Sequence, residues 1–169
     1  MTIPLMSVVW ATLIVTIAFL LREPFRVAKQ QAVSYEAALE AAKLMKDWGS
    51  WMTTVSTAVI GANGFLLTSP SSGIASMPLV RDTWWAFCSV LLFGLSIAVA
   101  AWVLGALPSV VTRLNKDGPV PENDIYEMPF FSFIPVRVGV MASLQHVFFV
   151  LGLYCFALFV IGASRSLAI

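Results

Sequence analysis

The side chain best suited to chemistry in this sequence is His146, the only histidine, which follows Gln145 within a long apolar run. An ionisable side chain inside a run of membrane-spanning length is a functional candidate by default. The structural alternative is a neutral imidazole that hydrogen-bonds across a helix interface, with Gln145 or Asn63 as its partner. A haem would need a second axial ligand, which one chain does not offer. Gln145 and His146 therefore form the candidate intramembrane polar site, with no cofactor and no metal predicted.

Other catalytic patterns are absent from the sequence. Cys88 and Cys155 are too few and too far apart for a disulfide framework or a zinc site, and are expected to be buried thiols. There is no G-x-S-x-G elbow and no glycine-rich loop followed by lysine. The paired cysteines of disulfide-generating membrane proteins and the basic motif of glutathione-dependent eicosanoid enzymes are also missing. The sequence predicts no catalytic residue.

Small polar residues gather on one side of the helix predicted at 48–68, if each residue turns the helix by about 100°. Bulky residues such as Val55 and Val59 fall on the opposite side. A helix surrounded by lipid has no reason to sort its side chains in this way, so we expect the polar face to meet protein or water. Its members are Thr53, Ser56, Thr57, Gly61, Asn63 and Gly64.

A second pattern lies in the next apolar run. Gly94, Ala98, Ala101 and Gly105 follow one another at spacings of four, three and four, which stacks them into a groove of small residues. Such grooves let two helices approach closely in lipid, where close packing and hydrogen bonds drive association. We expect the helix at 48–68 to pack on this groove.

Four apolar runs must position these residues, at about 2–21, 48–68, 83–108 and 138–162. A 169-residue chain with 59% hydrophobic and 11% charged residues cannot bury its apolar side chains in a soluble core of that size. Each run also reaches the roughly 20 residues needed to cross a bilayer. The sequence predicts an all-α polytopic membrane protein, one transmembrane domain over 1–169, whose first run is a retained anchor because its positive charges follow it.

The two longer connections, 22–47 and 109–137, differ in character. The first is predicted to hold a juxtamembrane helix from Ser34, its N-cap, to Asp47. The second carries too many prolines for a continuous helix, and Pro108 is expected to end or kink the preceding span. The aromatic stretch Met128 to Ile134 is expected in the headgroup zone, with a re-entrant loop as the alternative.

Eight of the ten Lys and Arg residues lie in these two connections, and one each in the loop near residue 81 and in the C-terminal tail. The positive-inside rule then places both connections in the cytoplasm and both termini outside, a pattern typical of a bacterial inner membrane. The net charge of +1 gives no basic surplus for nucleic-acid binding.

The favoured function is a non-enzymatic subunit of a homo- or hetero-oligomeric membrane complex, in contact with the lipid bilayer and with copies of itself or other membrane subunits. The polar face of 48–68 and the groove of small residues offer more packing surface than one short bundle needs. Two alternatives stay open at this point. One is an oligomeric pore or ion channel lined by that polar face, and the other is a cofactor-binding or enzyme subunit that uses His146.

Overall fold

The computed structural model describes residues 32–68, 80–131 and 134–166, together with the helical residues 10, 13, 14 and 18. Three long helices make up most of these ranges: α1 (Tyr35–Thr68), α2 (Val80–Val111) and α3 (Val138–Ser166). The prediction of a mainly helical chain is confirmed to this extent. Apart from those four positions, the predicted first span lies outside the described residues, as does the loop 69–79.

Two of the helices are long and apolar enough to cross a membrane, over Thr83–Val111 and Val138–Gly162. They coincide with the third and fourth predicted spans. The segment 48–68 is less hydrophobic than these two helices, since it contains Asn63 and many hydroxyls and glycines, and it is not among the candidate spans. The structure therefore does not support the predicted count of four spans. Pro108 does not end its helix either, because α2 continues to Val111.

α1 unites two elements that the sequence suggested separately, the juxtamembrane helix and the segment at 48–68. It begins where predicted, because the Ser34 hydroxyl accepts a hydrogen bond from the Ala37 amide at 3.2 Å. Glu36 lies in the first turn, where the helix dipole favours negative charge. No proline interrupts the helix near Trp48, so it runs on without a break into the uncharged segment.

The three helices form a bundle in which neighbours in sequence are antiparallel. Between α2 and α3, Ser89 contacts Gly152 and Ser96 contacts Gln145, so residue numbers rise on one helix as they fall on the other. Between α1 and α2 the same holds, since Asn63 contacts Ser89 while Gly49 lies against Leu104. α1 and α3 are consequently parallel, with the Trp51 ring against that of Phe149.

α1 and α2 each bury a seam of residues in alternating steps of three and four, the seven-residue repeat of supercoiled helices. In α1 the seam passes through Ala38, Ala42, Met45, Gly49, Met52, Ser56 and Asn63. In α2 it passes through Ala86, Ser89, Phe93, Ser96, Ala100, Val103, Leu107 and Val110. Because the α1 seam begins at Ala38, the juxtamembrane part of that helix packs on protein as well.

The segment between α2 and α3 folds over one end of the bundle, and we call residues 112–137 the cap. As predicted, its described residues, 112–131 and 134–137, form no continuous helix. It holds a 3₁₀ turn at Pro121–Asn123 and an antiparallel hairpin of β1 (Pro129–Phe131) and β2 (Ile134–Arg137). Met128 is buried in the core cluster with Ile125, so the cap supplies apolar side chains that cover this end of the bundle. The headgroup-zone position expected for Met128 to Ile134 stays a prediction.

The cap also joins the start of α1. The backbones of Val33 and Val120 exchange hydrogen bonds of 3.1 and 3.2 Å. The fully buried Asn123 donates to the carbonyl oxygens of Val33 at 3.2 Å and Asn115 at 2.9 Å, and its Oδ1 accepts from the Asn115 amide at 2.8 Å. Lys116 lies over the Tyr35 ring, with its Nζ 5.6 Å from the ring centroid. The C-terminal part of the connection 22–47 and the cap therefore lie at the same end of the bundle.

Candidate functional site

The bundle interior contains two polar layers, seven residues apart on every helix. The distal layer comprises Asn63, Ser89 and Gly152. In it, the Asn63 amide Nδ2 donates to the Ser89 hydroxyl at 3.3 Å, and that hydroxyl donates to the Gly152 carbonyl at 3.2 Å. One serine therefore connects all three helices. This connection is a strong constraint in an apolar interior, where few other polar groups compete.

The proximal layer comprises Ser56, Ser96 and Gln145, and is nearer to the cap. As in the distal layer, a serine hydroxyl of α2 donates to a backbone carbonyl of α3: Ser96 donates to Gln145 at 3.3 Å. All three residues are at most 2% exposed. The side-chain amide of Gln145 makes no corresponding bond, so this layer is less completely satisfied than the distal one.

Three polar atoms of these layers are buried without a hydrogen-bond partner among the described residues: Ser56 Oγ, Asn63 Oδ1 and Gln145 Nε2. A buried donor or acceptor left unpaired costs about 1–3 kcal/mol. Gln145 Nε2 differs from the other two because its residue lines a cavity, where a partner has room to lie.

His146 hydrogen-bonds through both ring nitrogens. Its Nε2 accepts from the indole Nε1–H of Trp48 at 2.5 Å, and its Nδ1 lies 2.6 Å from the Ala142 carbonyl oxygen. An indole N–H can only donate and a carbonyl oxygen can only accept. The ring is therefore neutral and carries its proton on Nδ1. In this arrangement neither nitrogen has a lone pair available for a metal, and the described residues contain no group of His, Cys, Asp or Glu that could hold one.

Trp48 is the partner of His146 that sequence reasoning missed. Asn63, suggested as a neighbour of the imidazole, bonds Ser89 in the distal layer instead. The rings of Trp48 and His146 are 18° from parallel, with centroids 6.1 Å apart and their nitrogen edges facing each other, and the Trp51 ring stacks on Trp48 with centroids 5.2 Å apart. The signal available in the sequence was the indole itself, since a tryptophan N–H at a helix interface needs an acceptor.

A cavity of about 290 Å³ lies beside this pair, between α1, α3 and the cap. α1 contributes Trp48 and Met52 among others, α3 contributes Gln145 and His146, and the cap contributes Tyr126. Among the described residues that line it, none carries a formal charge. The cavity is thus mainly apolar, with polar groups concentrated on its α3 side.

The residues of the predicted polar face of 48–68 differ in burial, so they do not form one common surface. Ser56 and Asn63 are buried in the seam and Thr53 is half-buried, whereas Thr57, Gly61 and Gly64 are exposed. The hydroxyls of Thr53 and Thr57 donate to carbonyls of their own helix, at Gly49 and Thr53. Val55 and Val59, which lie opposite the predicted polar face, are partly buried and pack against the cluster of Met52, Phe93 and Phe149.

The predicted groove of small residues on α2 does not hold α1. Gly94, Ala98, Ala101 and Gly105 are all exposed, and a Cβ added at either glycine would have no heavy atom of the described part of the chain within 4 Å. The buried seam of α2 lies about 150° around the helix from this groove, if each residue turns the helix by about 100°. The prediction that the helix at 48–68 packs on this groove is therefore wrong, and the three described helices leave the groove exposed.

The two cysteines, Cys88 and Cys155, are free thiols of intermediate exposure.

The fold and the site define a mainly helical protein with two helices apolar enough to span a membrane, polar layers in its interior and a small cavity at one end. No known protein-family model, curated protein or solved structure matches the chain.

Proposed function

We propose that the chain is an integral protein of a bacterial inner membrane with four spans, at about 2–21, 48–68, 83–108 and 138–162. The connections 22–47 and 109–137 then face the cytoplasm and both termini lie outside. The length and apolar character of α2 and α3 support this placement. So does the pairing of Val33 with Val120, since the proposal needs the two basic connections at the same end of the bundle.

Within that membrane we propose a non-enzymatic role, as a subunit of a homo- or hetero-oligomeric complex. The exposed groove of Gly94, Ala98, Ala101 and Gly105 carries this proposal. In lipid, exposed apolar side chains give no net drive to association, because lipid tails are equally apolar. A surface of small residues differs, since it lets a second backbone approach closely enough for dispersion contacts and weak hydrogen bonds.

The test replaces both glycines of the groove by leucine, Gly94→Leu and Gly105→Leu, in the full chain reconstituted in lipid nanodiscs. A Cβ added at either position meets no heavy atom of the described residues within 4 Å, so the three-helix bundle should fold unchanged. We expect native mass spectrometry and cross-linking to show an oligomer for the parent protein and its loss in the double variant. Ala157→Leu, an exposed change on α3, is the matched control and should retain the oligomer.

Two results would contradict this assignment. One is a parent protein that stays monomeric at high protein-to-lipid ratios and co-purifies with no other membrane protein. The other is an oligomer that the double variant and the Ala157→Leu control retain equally, since the groove would then not be the interface.

A further inference from the structure

The cavity beside Trp48 and His146 has one buried donor without an acceptor. Gln145 is only 2% exposed, it lines the cavity, and its Nε2 has no hydrogen-bond partner among the described residues. Its backbone carbonyl is already held by Ser96, so the residue is fixed in place while its amide is not satisfied. An acceptor brought in by a ligand would remove the cost of this unpaired group.

We propose that this cavity binds an uncharged, carbonyl-bearing amphiphile of the bilayer, with its carbonyl oxygen accepting from Gln145 Nε2. The ligand chemistry is a carbonyl next to an apolar ring or chain. A quinone headgroup and the ester region of a neutral lipid both provide it.

The lining argues against a charged ligand. None of the described lining residues carries a formal charge, and both nitrogens of the neutral His146 ring are already engaged. A phosphate or a cation would thus lose its hydration without meeting an opposite charge. The rest of the wall is apolar, with Met45 and Met52 as flexible side chains that adapt to irregular shapes.

Size and position fit the same ligand. The volume of 290 Å³ corresponds to about ten water molecules at roughly 30 Å³ each, enough for one substituted ring or the first carbons of an acyl chain. The cavity lies at the point where α1 passes from the charged Lys46 and Asp47 to an uncharged run that opens with the exposed Trp48 and Trp51. Tryptophan favours the membrane interface, the depth at which lipid ester carbonyls lie.

The inference uses the membrane placement proposed above but does not depend on oligomerisation. The experiment therefore measures ligand binding on the full chain in detergent, with its oligomeric state recorded on the same sample. Two probes separate the sources of the carbonyl: a short-chain benzoquinone and a short-chain diacylglycerol. A ligand that binds only the folded state raises Tm with its concentration, which gives an apparent Kd.

We expect a saturable rise in Tm with at least one probe. Gln145→Leu keeps the backbone bond to Ser96 and removes the donor, so binding should weaken about tenfold while the protein stays folded. Ala142→Phe should fill the cavity and abolish binding. Ala157→Phe adds the same bulk on the exposed side of α3 and should leave binding unchanged.

A rise in Tm with the benzoquinone but not with the diacylglycerol would identify a quinone-type ligand. The reverse result would identify an ester-type ligand. The proposal is overturned if neither probe gives a saturable shift with the parent protein. It is equally overturned if Gln145→Leu, which does not depend on cavity filling, binds the active probe as tightly as the parent. A monomeric sample that still binds would show that the ligand site needs no second copy, so the cavity proposal would stand whatever the outcome of the assembly test.

Discussion

The indole N–H of Trp48 donates to Nε2 of His146 across the α1–α3 interface, and this bond fixes the imidazole as the tautomer protonated on Nδ1. The only histidine of the chain is thus a neutral acceptor with both nitrogens engaged. The pair also forms one wall of the cavity, so the bond positions the site as well as the helices.

Trp48→Phe should destabilise the bundle by about 1–2 kcal/mol, because it removes the donor and leaves His146 Nε2 without its partner. The ring stack on Trp51 can persist. Denaturant titration in detergent measures the stability, and nitrogen NMR of the histidine reports whether Nδ1 remains the protonated position. Trp51→Phe keeps the Trp48–His146 bond and is the control. Equal effects of the two substitutions would show that the hydrogen bond contributes nothing measurable.

Ser89→Ala should cost more than Ser96→Ala, although the two residues occupy equivalent places in the layers. The Ser89 hydroxyl accepts from Asn63 and donates to Gly152, whereas the Ser96 hydroxyl makes only the bond to Gln145. We expect losses of about 2 kcal/mol and about 0.6 kcal/mol, respectively, from the same unfolding titration. A larger loss for Ser96→Ala would contradict the assignment of Ser89 as the residue that connects three helices.

Gly152→Ala should destabilise the protein by about 1–3 kcal/mol, since overpacking a core forces side chains to shift. A Cβ at this position would lie 3.1–3.2 Å from the Phe93 ring, which is fully buried and packs edge-on against Phe149. Phe93→Leu should partly relieve the clash, so the double variant should lose less than the sum of the single changes.

The control for this glycine is Gly61→Ala. Gly61 is exposed in the interior of α1 and an added Cβ there meets nothing within 4 Å. It should gain about 0.5–1 kcal/mol from the lower backbone entropy of alanine in the unfolded chain. If Gly152→Ala leaves the free energy of unfolding unchanged or raises it, as Gly61→Ala is expected to do, then α2 and α3 are not closely packed at Phe93.

Asn123→Ala should loosen both the cap and its contact with the start of α1, because the buried side chain donates to the Val33 carbonyl and makes two further bonds to Asn115 within the cap. We expect a loss of about 2–3 kcal/mol. Hydrogen exchange should also show lower protection of the Val33 and Val120 amides, which pair with each other beside Asn123. Unchanged protection at those two amides would mean that the bridge holds without Asn123.

Several local features could be read from the sequence because they depend on neighbouring residues alone. Ser34 begins α1 because its hydroxyl reaches an amide three residues on. The prolines between Gly118 and Pro135 exclude a continuous helix in the cap, since each removes a backbone donor. Pro108 does not end α2, one of the two outcomes expected for it, because one proline near a helix end can be accommodated when the flanking residues remain packed, as Leu107 and Val110 do.

The contacts of the site could not be read in the same way. Trp48 and His146 are 98 positions apart, and nothing local to either indicates the other. The same is true of the cavity, whose walls come from two helices and the cap. Gln145 and His146 could be selected as candidates because they interrupt an apolar run, but their partners depend on the register between helices.

By itself the sequence determined that α2 and α3 are long, apolar helices, that α1 starts at Ser34 and that a proline-rich segment separates α2 from α3. Only the tertiary structure decided which stripe of each helix faces inward. On α2 the stripe through Gly94 and Ala98 and the stripe through Phe93 and Ser96 have the same spacing, so periodicity cannot choose between them. The stripe through Phe93 and Ser96 is buried because the neighbouring helices provide hydrogen-bond partners for its serines and space for the Phe93 ring. Those partners lie far away in the sequence, so local patterns do not reveal them.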